Sequence, residues 1–579
     1  MKTFEKVFPF VKKNIPILIG GIILIILIDA GQLFTINIMQ RAIDSMSQEG
    51  FTKQTLLYSA LWIAGITITI TILRYFWRLA FVGTAWTMDR DIRQMYYDHL
   101  LKLSANFFHK TKTGDLMAYA TNDMNAVRML FAFGFVIGCD ILVIAIASLF
   151  FMVNISLKLT LLAVIPTPIL SIVIMVFGRQ IHHRFRKVQK TFAELSGKVQ
   201  ESISGIRVVK AFVQEESELE KMSESAMDYV NDNIRLVKIH AMFHPMMFLI
   251  INMCMGIILV FGGEAAILND ISIGEFVAFF QYLGMLVWPM IAIGWIVNLF
   301  QRGTASLKRL NSIFEQDPEI FDEDIDPEIK ILHGAIRFQN LSFNYKEGSA
   351  VILDDISFQI EAGKTLAIVG KTGCGKSTII ELLTRVYNPP ANSVFIDEHE
   401  LFKIPLNTLR NNIVMVPQEI FLFSDTVANN IKLGKADADM EEVIEVTKKA
   451  QVYDSILEFD KGFDTMVGER GVTLSGGQKQ RLAIARALLT NPNILVLDDA
   501  LSAVDTKTEK NILDDLINLR KNKTTIIISH RISSIQHADK IIVLNNAKIE
   551  EEGSHEELLQ DCGIYRDLYE KQQIEEKLS

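Results

Sequence analysis

The chain has 579 residues, half of them hydrophobic, with a formal net charge of -9 and four scattered cysteines. A length this great exceeds one ordinary domain, and a mean hydropathy of +0.26 is too apolar for a wholly soluble protein. The acidity and the absence of a long basic tail exclude a general nucleic-acid binder. Cys139, Cys254, Cys374 and Cys562 form no CxxC pair, so free thiols are expected in place of a disulfide framework or a zinc site.

The basic, amphipathic start MKTFEKVFPFVKKN leads into an apolar run too long for a signal peptide, and the segment is expected to be retained. Six apolar runs follow, approximately Ile15 to Met39, Leu56 to Ala80, Leu130 to Val153, Leu159 to Phe177, Met242 to Leu268 and Phe276 to Phe300. Each matches the roughly 20 residues a helix needs to cross about 30 Å of hydrocarbon. Lys and Arg concentrate after the second run, at Arg90, Arg93, Lys102, Lys110 and Lys112, and after the fourth, at Arg179, Arg184, Arg186, Lys187, Lys190 and Lys198. The turn from Gly262 to Gly274 has neither, which predicts both termini in the cytoplasm. The two basic connections keep helical periodicity and are expected to be stalks protruding from the membrane.

From Glu315 to Glu328 the segment EQDPEIFDEDIDPE, interrupted by Pro318 and Pro327, has the composition of a linker. The expected division is therefore a membrane domain over 1–314, a linker over 315–333 and a second domain over 334–579. In the last part, β-branched runs such as Thr365 to Val369, Ile494 to Leu497 and Thr524 to Ile528 alternate with helical patterns. That rhythm predicts a parallel sheet covered by helices, and the fold class is an all-α membrane domain followed by an α/β domain.

Gly370-Lys371-Thr372-Gly373-Cys374-Gly375-Lys376-Ser377, followed by Thr378, is a phosphate-binding loop between a strand and a helix. Its glycines let backbone N–H groups surround phosphate oxygens, Lys376 reaches the outer phosphates and Ser377 is a Mg²⁺ ligand. Cys374 inside this loop reads as a small tolerated side chain. Ile494 to Leu497 ends in Asp498, a candidate Mg²⁺ carboxylate, and Asp499, placed beside an attacking water. Ser475, Gly476 and Gly477 open another helix, a second anion-binding start in a domain with one obvious nucleotide loop.

Leu474-Ser475-Gly476-Gly477-Gln478, placed between the phosphate loop and the acidic pair, resembles the signature of the ATP-binding cassette transporters, and specifically of exporter-type half-transporters. The resemblance covers nearly the whole chain. It implies an ATPase coupled to transport, with ATP and Mg²⁺ as ligands. Tyr345 resembles the aromatic residue that stacks on adenine, Gln418 the glutamine that senses the γ-phosphate and Mg²⁺, and His530 the switch histidine. Ser502-Ala503-Val504-Asp505 resembles the loop that communicates across a cassette dimer, in which one chain's signature completes the other's ATP site. Where the family usually has glutamate after the magnesium aspartate, this chain has Asp499. The departure implies a slow site and a heterodimer with a second half-transporter; a homodimer in which Asp499 suffices is the alternative.

Thr113 to Met117 with Thr121 to Asp123, and Glu201 to Arg207, resemble the segments that couple cassettes to membrane helices. Within the spans, ionisable side chains are few: Asp29, Arg74 and Asp140, with Arg78, His244 and Glu264 nearer the ends. Asp140 admits two readings, a substrate or proton contact and a structural hydrogen bond. Met and Trp in the last two runs fit a lipophilic-solute path or ordinary helix packing. The expected function is outward movement of a small lipophilic solute across a bacterial cell membrane. A lipid or peptide translocator and an ATP-gated channel are the alternatives.

Overall fold

The computed structural model describes all residues except 1–3, 47–51, 166, 346–349, 469–473, 562 and 579, together with a few side chains inside helices, that of His244 among them. Cys562, one of the four expected thiols, lies outside the described residues; Cys139, Cys254 and Cys374 are free. The chain divides into two compact units, residues 1–101 with 112–316, and residues 102–111 with 317–579.

The first unit is helical. Five described helices are long and apolar enough to cross a membrane: Phe8–Met46, Lys53–Leu100, Thr113–Ile155, Glu215–Ile267 and Ile273–Phe314. The fourth expected run crosses the undescribed position 166 and is seen as Leu157–Val164 and Thr167–Ser204. Lys53–Leu100 has 48 residues, about 72 Å at 1.5 Å per residue, more than twice the hydrocarbon thickness. Its polar second half carries Arg90 and Arg93 of the expected stalk. Two π-turns, Tyr119–Asp123 and Leu130–Gly134, interrupt the Thr113–Ile155 helix. The first turn aims Asp123 at the Ile273–Phe314 helix, where it accepts from Ser306 Oγ at 2.8 Å and Arg309 Nε at 3.0 Å. A buried carboxylate held by two donors pins one long helix to the other.

The second unit holds two sheets. The first is antiparallel, in the order β2-β1-β4-β5, from β1 (Ile336–Phe343), β2 (Leu353–Ile360), β4 (Val394–Ile396) and β5 (His399–Glu400). The second has the order β10-β9-β3-β8-β7-β6, from β3 (Thr365–Gly370), β6 (Ile413–Val416), β7 (Ile494–Asp498), β8 (Thr524–Ile528), β9 (Lys540–Asn545) and β10 (Lys548–Gly553). Five of its strands, β9-β3-β8-β7-β6, are parallel and β10 pairs antiparallel with β9. β7 and β8 are buried along their whole length, which is why they read as unbroken apolar or β-branched runs. Parallel strands align their C-terminal ends, so β3, β7 and β8 deliver Gly370, Asp498 and Ile528 to one edge of the sheet.

The sequence places the first coupling segment at Thr113 to Met117, but those residues and Thr121 to Asp123 belong to the first unit. The piece counted with the cassette lies just before them and includes the short helix Ala105–Lys110. There Ser104 and Asn106 donate to the Glu319 carboxylate at 3.1 and 2.9 Å, and His109 Nδ1 lies 2.7 Å from the Tyr387 hydroxyl.

Candidate active site

A cavity of about 320 Å³ at the C-terminal edge of the parallel sheet is lined by Tyr345, Thr372, Gly373, Gly375, Lys376, Ser377, Thr378, Gln418, Asp498, Asp499 and His530 among others. The structure thus brings together residues from five separate stretches of sequence. The loop between β3 and the helix Lys376–Leu383 depends on glycine at two points. Gly375 has φ 101°, and a Cβ there would lie 2.6 Å from Leu353 and 2.9 Å from the Ile352 carbonyl; at Gly370, with φ 155°, it would lie 2.3 Å from the Leu544 carbonyl.

Lys376 is buried, and its ammonium donates to the Gly370 and Lys371 carbonyls, both at 2.9 Å. The cation is thereby held at the mouth of the loop. Cys374 is also buried, its Sγ 3.9 Å from that ammonium. The Tyr345 hydroxyl is 2.9 Å from Thr378 Oγ1 and donates to Glu381 at 2.7 Å, which fixes its half-exposed ring beside the loop helix. An edge contact from Tyr387, with centroids 5.0 Å apart, supports it further.

Opposite the loop, Asp498 is buried and hydrogen-bonded to Ser377. Burial pushes its carboxyl above the ordinary carboxylate range; the Ser377 bond opposes the shift, the Asp499 charge adds to it, and the Lys376 and His530 charges offset part of it. Ser377, Asp498 and Gln418 offer only hard oxygen atoms, the donor set that suits Mg²⁺ beside phosphate oxygens. Asp499 takes the left-handed backbone conformation, φ 50°, which aspartate tolerates better than most residues. Its amide donates to the Ile528 carbonyl at 2.9 Å, and its Oδ2 lies 3.4 Å from Gln418 Nε2.

Ser475, Gly476, Gly477 and Gln478 are not in this cavity. Ser475 caps the helix Gly476–Leu489 through a capping box: its Oγ accepts from the Gln478 amide at 3.2 Å, and Gln478 Oε1 accepts from the Ser475 amide at 2.9 Å. The Gln478 side chain is therefore committed to the cap. Both glycines allow close approach to the loop after β7, since Cβ atoms there would lie 3.2 and 3.0 Å from Ala503.

That loop is gripped from two sides by residues the sequence reading did not single out. Gln480, nearly fully buried, donates to Ser502 Oγ at 3.0 Å and accepts from the Ala503 amide at 2.9 Å. Arg531 donates to the Ser502 and Val504 carbonyls at 3.1 and 3.2 Å and pairs with buried Glu509. Gln572, from the helix Ile564–Leu578, donates to the His530 carbonyl at 2.5 Å and accepts from the Ile532 amide at 2.8 Å. A second glutamine, two residues past the end of the glycine signature, was the one available clue; the Arg531 and Gln572 bonds have no local signal in the sequence.

Comparison with known families places these two units in one lineage. The family model of the ABC transporter transmembrane region matches residues 18–290, and the ABC transporter family model matches residues 353–502. A Bacillus subtilis protein described as a probable multidrug resistance ABC transporter ATP-binding/permease protein, YheI, is 40% identical over 96% of this chain and 95% of its own length. The chain belongs to the ABC transporters. The Escherichia coli multidrug resistance-like ATP-binding protein MdlA is 36% identical over 100% of this ABC chain and 98% of its own. A bacterial Atm1-family ABC exporter solved with ATP bound superposes with a TM-score of 0.80 at 27% identity, covering 96% and 99% of the two chains. This ABC transporter is thus a multi-pass membrane protein whose cassette binds ATP and whose ATPase activity drives transport.

Proposed function

We propose that this chain is the slow-site subunit of a heterodimeric exporter that moves a small lipophilic solute outward across a bacterial cell membrane, with both termini and the cassette in the cytoplasm. The membrane domain occupies 1–314, the linker 315–333 and the cassette 334–579. The observation that carries the reading is Asp499, a carboxylate one methylene shorter than the glutamate usual at this position, alongside an intact signature helix start at Ser475.

In this reading Tyr345 stacks on adenine, and the amides of Gly370 to Ser377 with Thr378 surround the phosphates. Lys376 exchanges its carbonyl partners for phosphate oxygens. Ser377, Asp498 and Gln418 hold Mg²⁺, which when bound neutralises charge developing on the transferred phosphoryl group. His530 faces the γ-phosphate and Asp499 orients the attacking water. The missing methylene draws that carboxylate back by about 1.5 Å, and a misplacement near 1 Å costs on the order of 100-fold in rate. Ser475, Gly476 and Gly477 present the start of a dipole-bearing helix to the ATP of the partner chain, whose own catalytic residue then does most of the hydrolysis.

The segments around Thr113 to Asp123 and Glu201 to Arg207 transmit cassette closure to the membrane helices. The description of YheI and MdlA as multidrug resistance or resistance-like proteins supports a lipophilic solute. The test is ATPase activity of the purified chain, alone and with a candidate partner carrying glutamate at the corresponding position. Negligible turnover alone and strong turnover together is expected. Full turnover alone, abolished by Asp499→Asn, would establish a homodimer instead.

A further inference from the structure

Three span helices bring ionisable side chains to one level of the membrane unit: Asp29 from Phe8–Met46, Arg74 from Lys53–Leu100 and Asp140 from Thr113–Ile155. Asp29 is fully buried and Asp140 lies within hydrogen-bonding reach of it, with the Arg74 guanidinium close enough to act on both. Among the described residues, Gln32 donates to Asp29 Oδ1 at a long 3.5 Å, and Asp29 Oδ2 is buried without a donor. The Ile273–Phe314 helix, packed against two of the three, carries no charged side chain between Glu275 and Arg302.

Apolar layers seal this level on both sides. On one side Ile25, Val136 and Phe81 form a buried cluster with Trp77 against it; on the other, Leu33, Ile144 and Ile70, each one turn along its own helix, are buried, Ile70 lying 3.1 Å from where a Cβ on Gly31 would sit. An ionised carboxylate has acceptors only, so two carboxyls in hydrogen-bonding reach need one proton between them. With that proton, two acids and one guanidinium sum to zero charge. Without it the level carries one net negative charge in a low-dielectric setting, a state that another cation can relieve. Arg74 is exposed in the single chain.

We propose that Asp29 and Asp140 hold one exchangeable proton with Arg74 as fixed counter-charge, and that a lipophilic cation takes the proton's place during transport. The proposal rests on the export reading and names its substrate class. The proton leaves as the cation enters, and the charge of the level stays zero in both states.

The experiment uses the complete transporter in inside-out vesicles, with tetraphenylphosphonium as a permanent cation and a neutral lipophilic dye of similar size. The KM for the cation is expected to rise as pH falls, because protons compete for the same site, while that of the neutral dye stays flat. Asp140→Asn should raise the cation KM at least about tenfold and flatten its pH dependence, leaving the KM of the neutral dye unchanged. Infrared spectra of the unmodified protein should show a protonated-carboxyl band that Asp29→Asn and Asp140→Asn each remove. A cation KM independent of pH, or unaltered by Asp140→Asn, overturns the exchange, and a missing band overturns the shared proton. Transport of neither dye with the band present would sink the lipophilic-solute reading and with it the exchange, while the shared proton would stand.

Discussion

At the end of β7, burial decides the protonation chemistry of Asp498. Burial raises the Asp498 carboxyl, so the folded, metal-free protein binds a proton there more tightly than the unfolded chain does. That contribution to stability is present below the ordinary aspartate value of about 3.9 and fades as pH rises through the raised one. Mg²⁺ requires the anion, so its nucleotide-dependent affinity is expected to begin falling at a higher pH than an exposed aspartate would give, and Asp498→Asn should lower the affinity and flatten the profile. Titration of Mg²⁺ binding at several pH values checks both. Cys374 gives a second residue-level expectation. Its thiol is buried against the loop, so alkylation should be slow, be slowed further by ATP, and abolish nucleotide binding once complete; unchanged ATP affinity after labelling verified by mass spectrometry would contradict it. The loop residues lining this pocket were legible in the sequence because phosphate binding demands glycines, a lysine and a hydroxyl in a fixed local order, whereas Tyr345, Gln418 and His530 came only from the family resemblance. The Asp499 backbone conformation was not, since nothing local announces it.

Among the elements, β3, β7 and β8 were legible as apolar runs because parallel strands are buried on both faces. The antiparallel sheet was not. β1 is broken by register shifts between Phe338 and Leu341 and again before Phe343, which scramble its period-two pattern, and β4 and β5 have only three and two residues. The piece that folds with the cassette, Ala105–Lys110, was not read in the sequence because six residues carry too little periodicity. The signature helix and the loop after β7 act as one piece through Gln480. Gln480→Leu leaves the Ala503 amide and Ser502 hydroxyl without their partner and should lower kcat of the assembled transporter about tenfold with little change in KM for ATP. Gln480→Glu, which keeps the acceptor, should recover part of the loss. In the membrane unit, Gly303 leaves room for Leu130, whose Cβ would lie 2.7 Å from an added methyl. Gly303→Val should overpack that seam by about 1–3 kcal/mol and lower the thermal midpoint measured in detergent.

On the scale of the whole molecule, a long hydrophobic half and an α/β half were separable by composition alone, since lipid admits only helices or closed barrels and a parallel sheet demands alternation with helices. The sequence reading drew that division as one cut near residue 315. The structure draws it twice, because residues 102–111 fold with the cassette although 205 residues of the other unit, 112–316, separate them from its main body. The cassette is therefore not a segment that can be lifted out whole. A soluble cassette expressed from residue 317 onward would lack His109 against Tyr387 and leave Glu319 without Ser104 and Asn106. The same holds for exchange between lineages: recombination that swaps cassettes at the linker also has to find a matching ten-residue insert far upstream. Two such breakpoints at once are rare, which ties the inheritance of the motor to that of its membrane helices.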